Sequence, residues 1–195
     1  KLSMVTYLSI AELFLSMISG YCAYTTLHTP WMWGFGIVAC SSGLGIFRFS
    51  EGKHVIGQHF LFQQMIGTVG AVCFFFGALD ALMTNFEYAN DLTVRVAVAT
   101  IATVMSMASG MSESEAFVDA IQIPCFLGIF VISVMAWFKG FPVHASRYCL
   151  LGATAGLTRE LLRVLKDRSK MELGRRLMLG LAIVFFHSAA MSNRY

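Results

Sequence analysis

Hydrophobic and polar positions alternate along this chain in blocks rather than residue by residue. Apolar runs occupy residues 3–24, 31–49, 59–83, 93–111, 116–138, 140–157 and 177–191, with short polar knots between them. Most approach or exceed the roughly 20 residues that an α-helix needs to cross a hydrocarbon core of about 30 Å. Backbone amides in lipid must be paired within their own segment, so such runs form helices. The pattern predicts an all-α fold, a polytopic transmembrane helical bundle in which residues 1–195 form a single integral membrane domain. Seven spans is the preferred count and six the alternative.

The count turns on residues 140–157, which are just long enough to cross but hold Pro142, His144 and Arg147. The polar stretch Thr158 to Arg176 follows, where Leu161, Leu162, Leu165 and Leu173 sit among charges. It reads as a basic amphipathic interfacial segment lying before the last helix. That last helix, 177–191, is short for a span. Trp31 and Trp33 open the second run and are expected at the headgroup boundary. Pro124 falls inside the fifth run, where it removes a backbone hydrogen bond.

Composition strengthens the membrane reading. Hydrophobic residues make up 57% of the chain and charged residues 13%, against about 25% charged in soluble domains. The five cysteines include no CxxC pair, and they are expected as buried free thiols. The net charge of +3 is small, and nucleic acid is not an expected partner. The chain opens on Lys1 rather than Met, which leaves an initiator, and the question of a signal peptide, out of view.

Charge also sets orientation. With seven spans, Lys1, Arg48, Lys53 and seven basic residues of 158–176 share one side, against Arg95, Lys139, Arg147 and Arg194 on the other. The positive-inside rule then places the N-terminus in the cytoplasm. With six spans both termini lie away from the cytoplasm, and the basic segment stays cytoplasmic in either case. Arg163, Lys166, Arg168, Lys170, Arg175 and Arg176 are therefore expected to contact anionic headgroups.

Small residues recur at helical spacing, as in Gly36, Ala39 and Gly43, or Gly152 and Gly156. They let helix backbones approach closely. Leucine at Gly67 or Gly152 is expected to disturb packing more than leucine at Phe74.

Within the apolar runs, polar groups are costly and need partners, so they are candidate sites. Glu12 stands about mid-depth in the first run, on a stripe with Ser9, Ser16 and Ser19. Glu12, Gln63, Gln64 and Arg147 are the candidate ligand or lipid-binding residues. Arg48 is expected to reach the cytoplasmic headgroups, His54 and His59 to lie at the interface, and His187 to act as a packing residue. A zinc-dependent hydrolase would need further histidines beside His187, and no HExxH or GxSxG is present. No catalytic residue, metal or cofactor is expected.

The resulting expectation is a non-catalytic multi-pass subunit of a larger membrane assembly, packing against lipids and other integral membrane proteins as a hetero-oligomer. Lipid handling or lipid transport is its expected setting, in the endoplasmic reticulum or plasma membrane. The alternative is a small-solute or proton-coupled transporter with a site at the bundle centre.

Overall fold

A computed structural model describes residues 4–27, 29–50, 55–82, 96, 100, 104, 116–139, 143–162 and 168–192. These form helices throughout: α1 (Met4–Thr25), α2 (Pro30–Ser50), α3 (Ile56–Met65), α4 (Ala71–Leu82), α5 (Ala116–Phe138), α6 (Val143–Leu161) and α7 (Arg168–Ser192). A single π-helical turn, Ile66–Gly70, joins α3 to α4, so the two make one rod. Five of the six rods are long and apolar enough to cross a membrane, with spans at Thr6–Thr25, Pro30–Phe49, Ile56–Leu82, Val118–Phe138 and Lys170–Ser192. The described residues are all helical, and their five candidate spans make this an integral membrane protein. Of the expected run at 93–111, residues 96, 100 and 104 alone are described, and they are helical.

Two sequence expectations change. The basic stretch 158–176 is not one interfacial segment. Its first residues finish α6, and its end forms the opening turns of α7, which has 25 residues rather than a short final span. The reason is electrostatic: charges at the start of α7 find opposite charges inside the bundle. Trp31 also departs from the headgroup boundary and is 2% exposed, whereas Trp33 is exposed. Pro124 lies inside α5 without ending it.

Helix directions follow from which residues meet. Gly45 lies against Glu12 and Gly43 against Ser16, so α1 and α2 run antiparallel. Gly34 lies against Phe74 and Gly77 against Trp31, so α2 and α4 do too. Glu160 faces Gln122 and Gly156 faces Phe126, which makes α5 and α6 antiparallel. Gly67 faces Val118 and Gly128 faces Phe75, so the α3–α4 rod and α5 are parallel neighbours. Arg176 meets Glu12 and His187 meets Thr25, so α7 runs parallel to α1; α1, α3, α5 and α7 therefore all begin at the end of the bundle where α2 and α6 finish.

The core away from that end is aromatic. Phe186 sits 5.1 Å from Phe74, 5.5 Å from Trp31 and 6.2 Å from Phe126, ring centre to ring centre. Glycines make room for these rings. A β-carbon at Gly77 would come 2.5 Å from Trp31, one at Gly152 2.6 Å from Phe186, and one at Gly156 2.7 Å from Phe126. The small-residue expectation holds at these positions but not at Gly36, where nothing lies within 4 Å. Phe74 is more central than its sequence context implies, since it is 1% exposed and touches Phe35, Trp31 and Phe186. All five cysteines are free, with Cys22 and Cys149 buried, Cys73 and Cys125 half-buried, and Cys40 exposed on α2.

Candidate functional site: a polar cavity at one end of the bundle

A stripe of polar residues on a lipid-crossing helix must turn toward another helix, because lipid offers no hydrogen bonds. The stripe of α1 does so. Ser16 Oγ donates to the Ala39 carbonyl of α2 at 3.1 Å, Ser19 is fully buried, and Glu12 is 3% exposed. A carboxylate at that depth requires a counter-charge. It comes from α7, 164 positions away: Arg176 Nε donates to Glu12 Oε1 at 2.5 Å. The same guanidinium donates to the Glu172 carbonyl at 3.1 Å and lies 5.2 Å from the centre of the Phe49 ring. Gly45 of α2 gives the Glu12 side chain its space, since a β-carbon there would sit 2.7 Å from the carboxyl carbon.

His59 backs this pair. It is fully buried on α3 rather than interfacial, because Arg48 offers it the partner that headgroups would otherwise supply. Arg48 Nη1 donates to His59 Nδ1 at 2.9 Å. An arginine has only donors, so Nδ1 is the acceptor and the ring proton belongs to Nε2. Nε2 faces Glu12 Oε1 at 3.8 Å, beyond hydrogen-bond range.

A second cluster forms on α5, α6 and α7. Gln122 Nε2 donates to Glu160 Oε1 at 2.9 Å. Arg159 Nε and Arg175 Nη2 approach the same oxygen at 3.7 and 3.9 Å. Arg159 reaches this point because it continues the inward face of Gly152 and Gly156 by one further turn.

Between the two clusters lies a cavity of about 230 Å³. Four arginines line it (Arg48, Arg159, Arg175 and Arg176), against two carboxylates, Glu12 and Glu172. Ser41, Ser42, Gln63, Gln64 and Gln122 add neutral hydrogen-bonding groups, while Leu15, Ile66 and Leu179 supply apolar wall one turn deeper than Glu12, Gln63 and Arg176. The π turn begins at this wall. Such turns recur at functional sites because the extra residue shifts side chains out of helical register.

The structure thus brings three of the sequence candidates together, Glu12, Gln63 and Gln64, and adds Arg175 and Arg176. Arg147 stands apart at the opposite end. It is near the start of α6, exposed, with its guanidinium 5.7 Å from the Trp137 ring centre. Lys170 is exposed at the start of α7. Arg168 belongs to the same turn, whereas Arg163 and Lys166 lie outside the described residues. His187 packs against Tyr21 and Phe35 and shares a 2.8 Å hydrogen bond with Thr25. Sequence reasoning missed His59, Gln122, Arg159 and Glu160. Only Arg159 carried a readable signal, its spacing from the two glycines. Among the described residues, no three His, Cys, Asp or Glu side chains gather as a metal site would require. No protein-family model, curated protein or solved structure matches this chain.

Proposed function

We propose that this protein is a multi-pass, lipid-handling subunit of a membrane assembly, and that its polar cavity receives an anionic lipid headgroup. The supporting observation is that four arginines line one cavity at a bundle end against two carboxylates, with Glu160 a third carboxylate beside Arg159 and Arg175, which leaves an excess of one positive charge. Guanidinium groups favour phosphate and carboxylate through paired N–H donors. The cavity volume of about 230 Å³ falls below the roughly 300–1,000 Å³ of sites that enclose a whole drug-sized ligand. It suits a headgroup whose acyl chains stay in the bilayer. Its position at one end, rather than at the bundle centre, favours headgroup binding over the transporter alternative.

In this reading the chain crosses seven times. The parallel α4 and α5 need one return between them, and the apolar run 93–111 is long enough to make it. The 19 residues of α6 span about 28 Å as a helix, with Arg147 near one end and Arg159 and Glu160 near the other. The cavity end carries Arg48, Arg159, Lys170, Arg175 and Arg176, so it is the cytoplasmic end.

Purification in gentle detergent, followed by identification of the bound lipids and proteins, tests the reading. Retention of anionic lipid together with partner membrane proteins supports it. A chain that retains only zwitterionic lipid and no partner overturns it. Orientation is tested separately: Lys170→Cys in sealed vesicles reacts with an impermeant maleimide from the cytoplasmic face, and labelling solely from the opposite face contradicts the topology.

A further inference from the structure

Of the four cavity arginines, Arg48 differs in what holds it. Arg159 and Arg175 flank Glu160, and Arg176 pairs with Glu12 and Glu172. Arg48 has no carboxylate within ion-pair distance among the described residues. Its partners are His59 Nδ1 at 2.9 Å and the Phe49 ring, whose centre lies 5.3 Å from the guanidinium carbon. Both are neutral, so the charge of Arg48 has no direct counter-charge.

The bond to His59 exists only while the imidazole is neutral. A guanidinium cannot accept, so Nδ1 has to offer its lone pair, and a proton there would aim a second donor at Arg48. It would also set two cations side by side. The other ring nitrogen meets the opposite charge. Nε2 lies 3.8 Å from Glu12 Oε1 and is buried without a hydrogen-bond partner among the described residues. An imidazolium would therefore be pushed from the Arg48 side and drawn to the Glu12 side. Among the described residues, the charged groups facing His59 are Arg48 from α2 and Glu12 from α1, with Arg176 of α7 behind Glu12. Helix α3 itself carries no other charged side chain.

We infer that His59 is a proton-dependent positioning residue for the anion site. Neutral His59 ties Arg48 to the wall. When Nδ1 takes a proton from solvent, Arg48 is released into the cavity it already lines and pairs with the headgroup, while His59 turns to Glu12. The negative charge of the headgroup offsets the charge that the proton brings, so proton and anion bind together. Such coupling is reciprocal: a proton that tightens the anion is itself held more tightly once the anion is bound. The inference rests on the anionic-headgroup reading and adds its control by pH.

Dihexanoyl phosphatidylglycerol or dihexanoyl phosphatidylcholine is titrated into the detergent-solubilised chain by calorimetry. The titrations are run at about pH 8 and about pH 5.5, which bracket the range in which histidines change charge. Neither headgroup titrates in that interval. The expected result is phosphatidylglycerol bound about tenfold more tightly at the lower pH, the scale of ordinary coupling between sites. Buffers of different ionisation heat should show proton uptake on binding. Phosphatidylglycerol preferred over phosphatidylcholine with the same affinity at both pH values overturns the proton inference and leaves the anionic reading standing. Weaker phosphatidylglycerol binding at the lower pH also overturns it, since neutral His59 would then be holding Arg48 in its binding pose. Equal binding of both lipids at both pH values overturns the inference and the reading together. His59→Asn is the control, because its carboxamide oxygen can accept from Arg48 but does not titrate. It should keep the preference for phosphatidylglycerol and lose the pH change; a folded variant that keeps the full change overturns His59 as the titrating group. Arg48→Gln serves if His59→Asn does not fold. It leaves His59 in place and removes the group that His59 releases, so it too should lose the pH change, and persistence of that change overturns the inference.

Discussion

The two ends of this bundle use glycine for different purposes. Towards one end, Gly34, Gly77, Gly152 and Gly156 are notches filled by the rings of Phe74, Trp31, Phe186 and Phe126. Towards the other, Gly45 accommodates the Glu12 carboxyl, and Gly67 accommodates Val118 and the Gln122 amide. In lipid, helices gain little from hiding apolar surface, and association relies on close packing and on polar contacts between helices. The aromatic end takes the first route. The cavity end takes the second, with helices α1, α2, α3, α5, α6 and α7 tied by charges and amides around a space they do not fill. One end is built to be solid, and the other keeps an open polar cavity.

The comparison predicts different sensitivities. The largest effect is expected at the cavity end, from Arg176→Leu. This variant leaves Glu12 buried without its principal counter-charge and should cost about 3 kcal/mol, the scale for breaking a buried pair. Thermal unfolding in detergent would show it as a large loss of melting temperature. The double variant Glu12→Gln with Arg176→Gln should recover much of that loss, because no unpaired charge remains. A double variant as unstable as Arg176→Leu would break the claim that the pair, rather than the shape of its side chains, is what matters there.

At the aromatic end the expected sensitivity is to volume. Gly77→Leu has to displace the Trp31 ring and should lose about 2 kcal/mol or more. Gly36→Leu, facing open space, should be neutral in the same assay. If Gly36→Leu is equally harmful, the notch description fails. The smallest effect is expected from Ser16→Ala, which removes one hydroxyl-to-carbonyl bond between α1 and α2. Interhelical bonds of this kind average about 0.6 kcal/mol, so its melting temperature should move by no more than a degree or two. A larger loss would mean that the polar stripe, more than the glycine notches, joins these helices.

The aromatic end was the more legible from sequence. Apolar runs declare themselves by length, and glycines at helical spacing point to close approach, although the spacing alone does not distinguish outward-facing Gly36 from inward-facing Gly152. The cavity end was legible only in fragments. Glu12 was conspicuous because a carboxylate among apolar residues needs a partner, but nothing local specifies that the partner is Arg176, 164 positions away. Arg175 and Arg176 belong to a run of basic residues, which by itself reads as a solvated or headgroup-facing surface. Their inward pairing depends on where α7 begins, and the sequence pattern placed that start at residue 177 rather than at Arg168. His59 looked like an edge residue because its partner Arg48 and its neighbour Glu12 come from two other helices. The π turn at Ile66–Gly70 has no composition of its own and appears only when the rod is assembled.

The central claim is that the arginine-lined cavity holds an anionic headgroup. Its most direct test is native mass spectrometry of lipid occupancy in the wild-type chain and in Arg175→Gln, released from nanodiscs of equal phosphatidylglycerol and phosphatidylcholine content. Arg175 is the variant of choice because its nearest charged contact, Glu160, lies 3.9 Å away and also has Gln122 as a donor, so the fold should survive. One retained phosphatidylglycerol per wild-type chain is expected, and about tenfold less in Arg175→Gln, the value of one charge-assisted hydrogen bond. Retention of phosphatidylcholine as readily as phosphatidylglycerol, or occupancy unchanged in a folded Arg175→Gln, would contradict it.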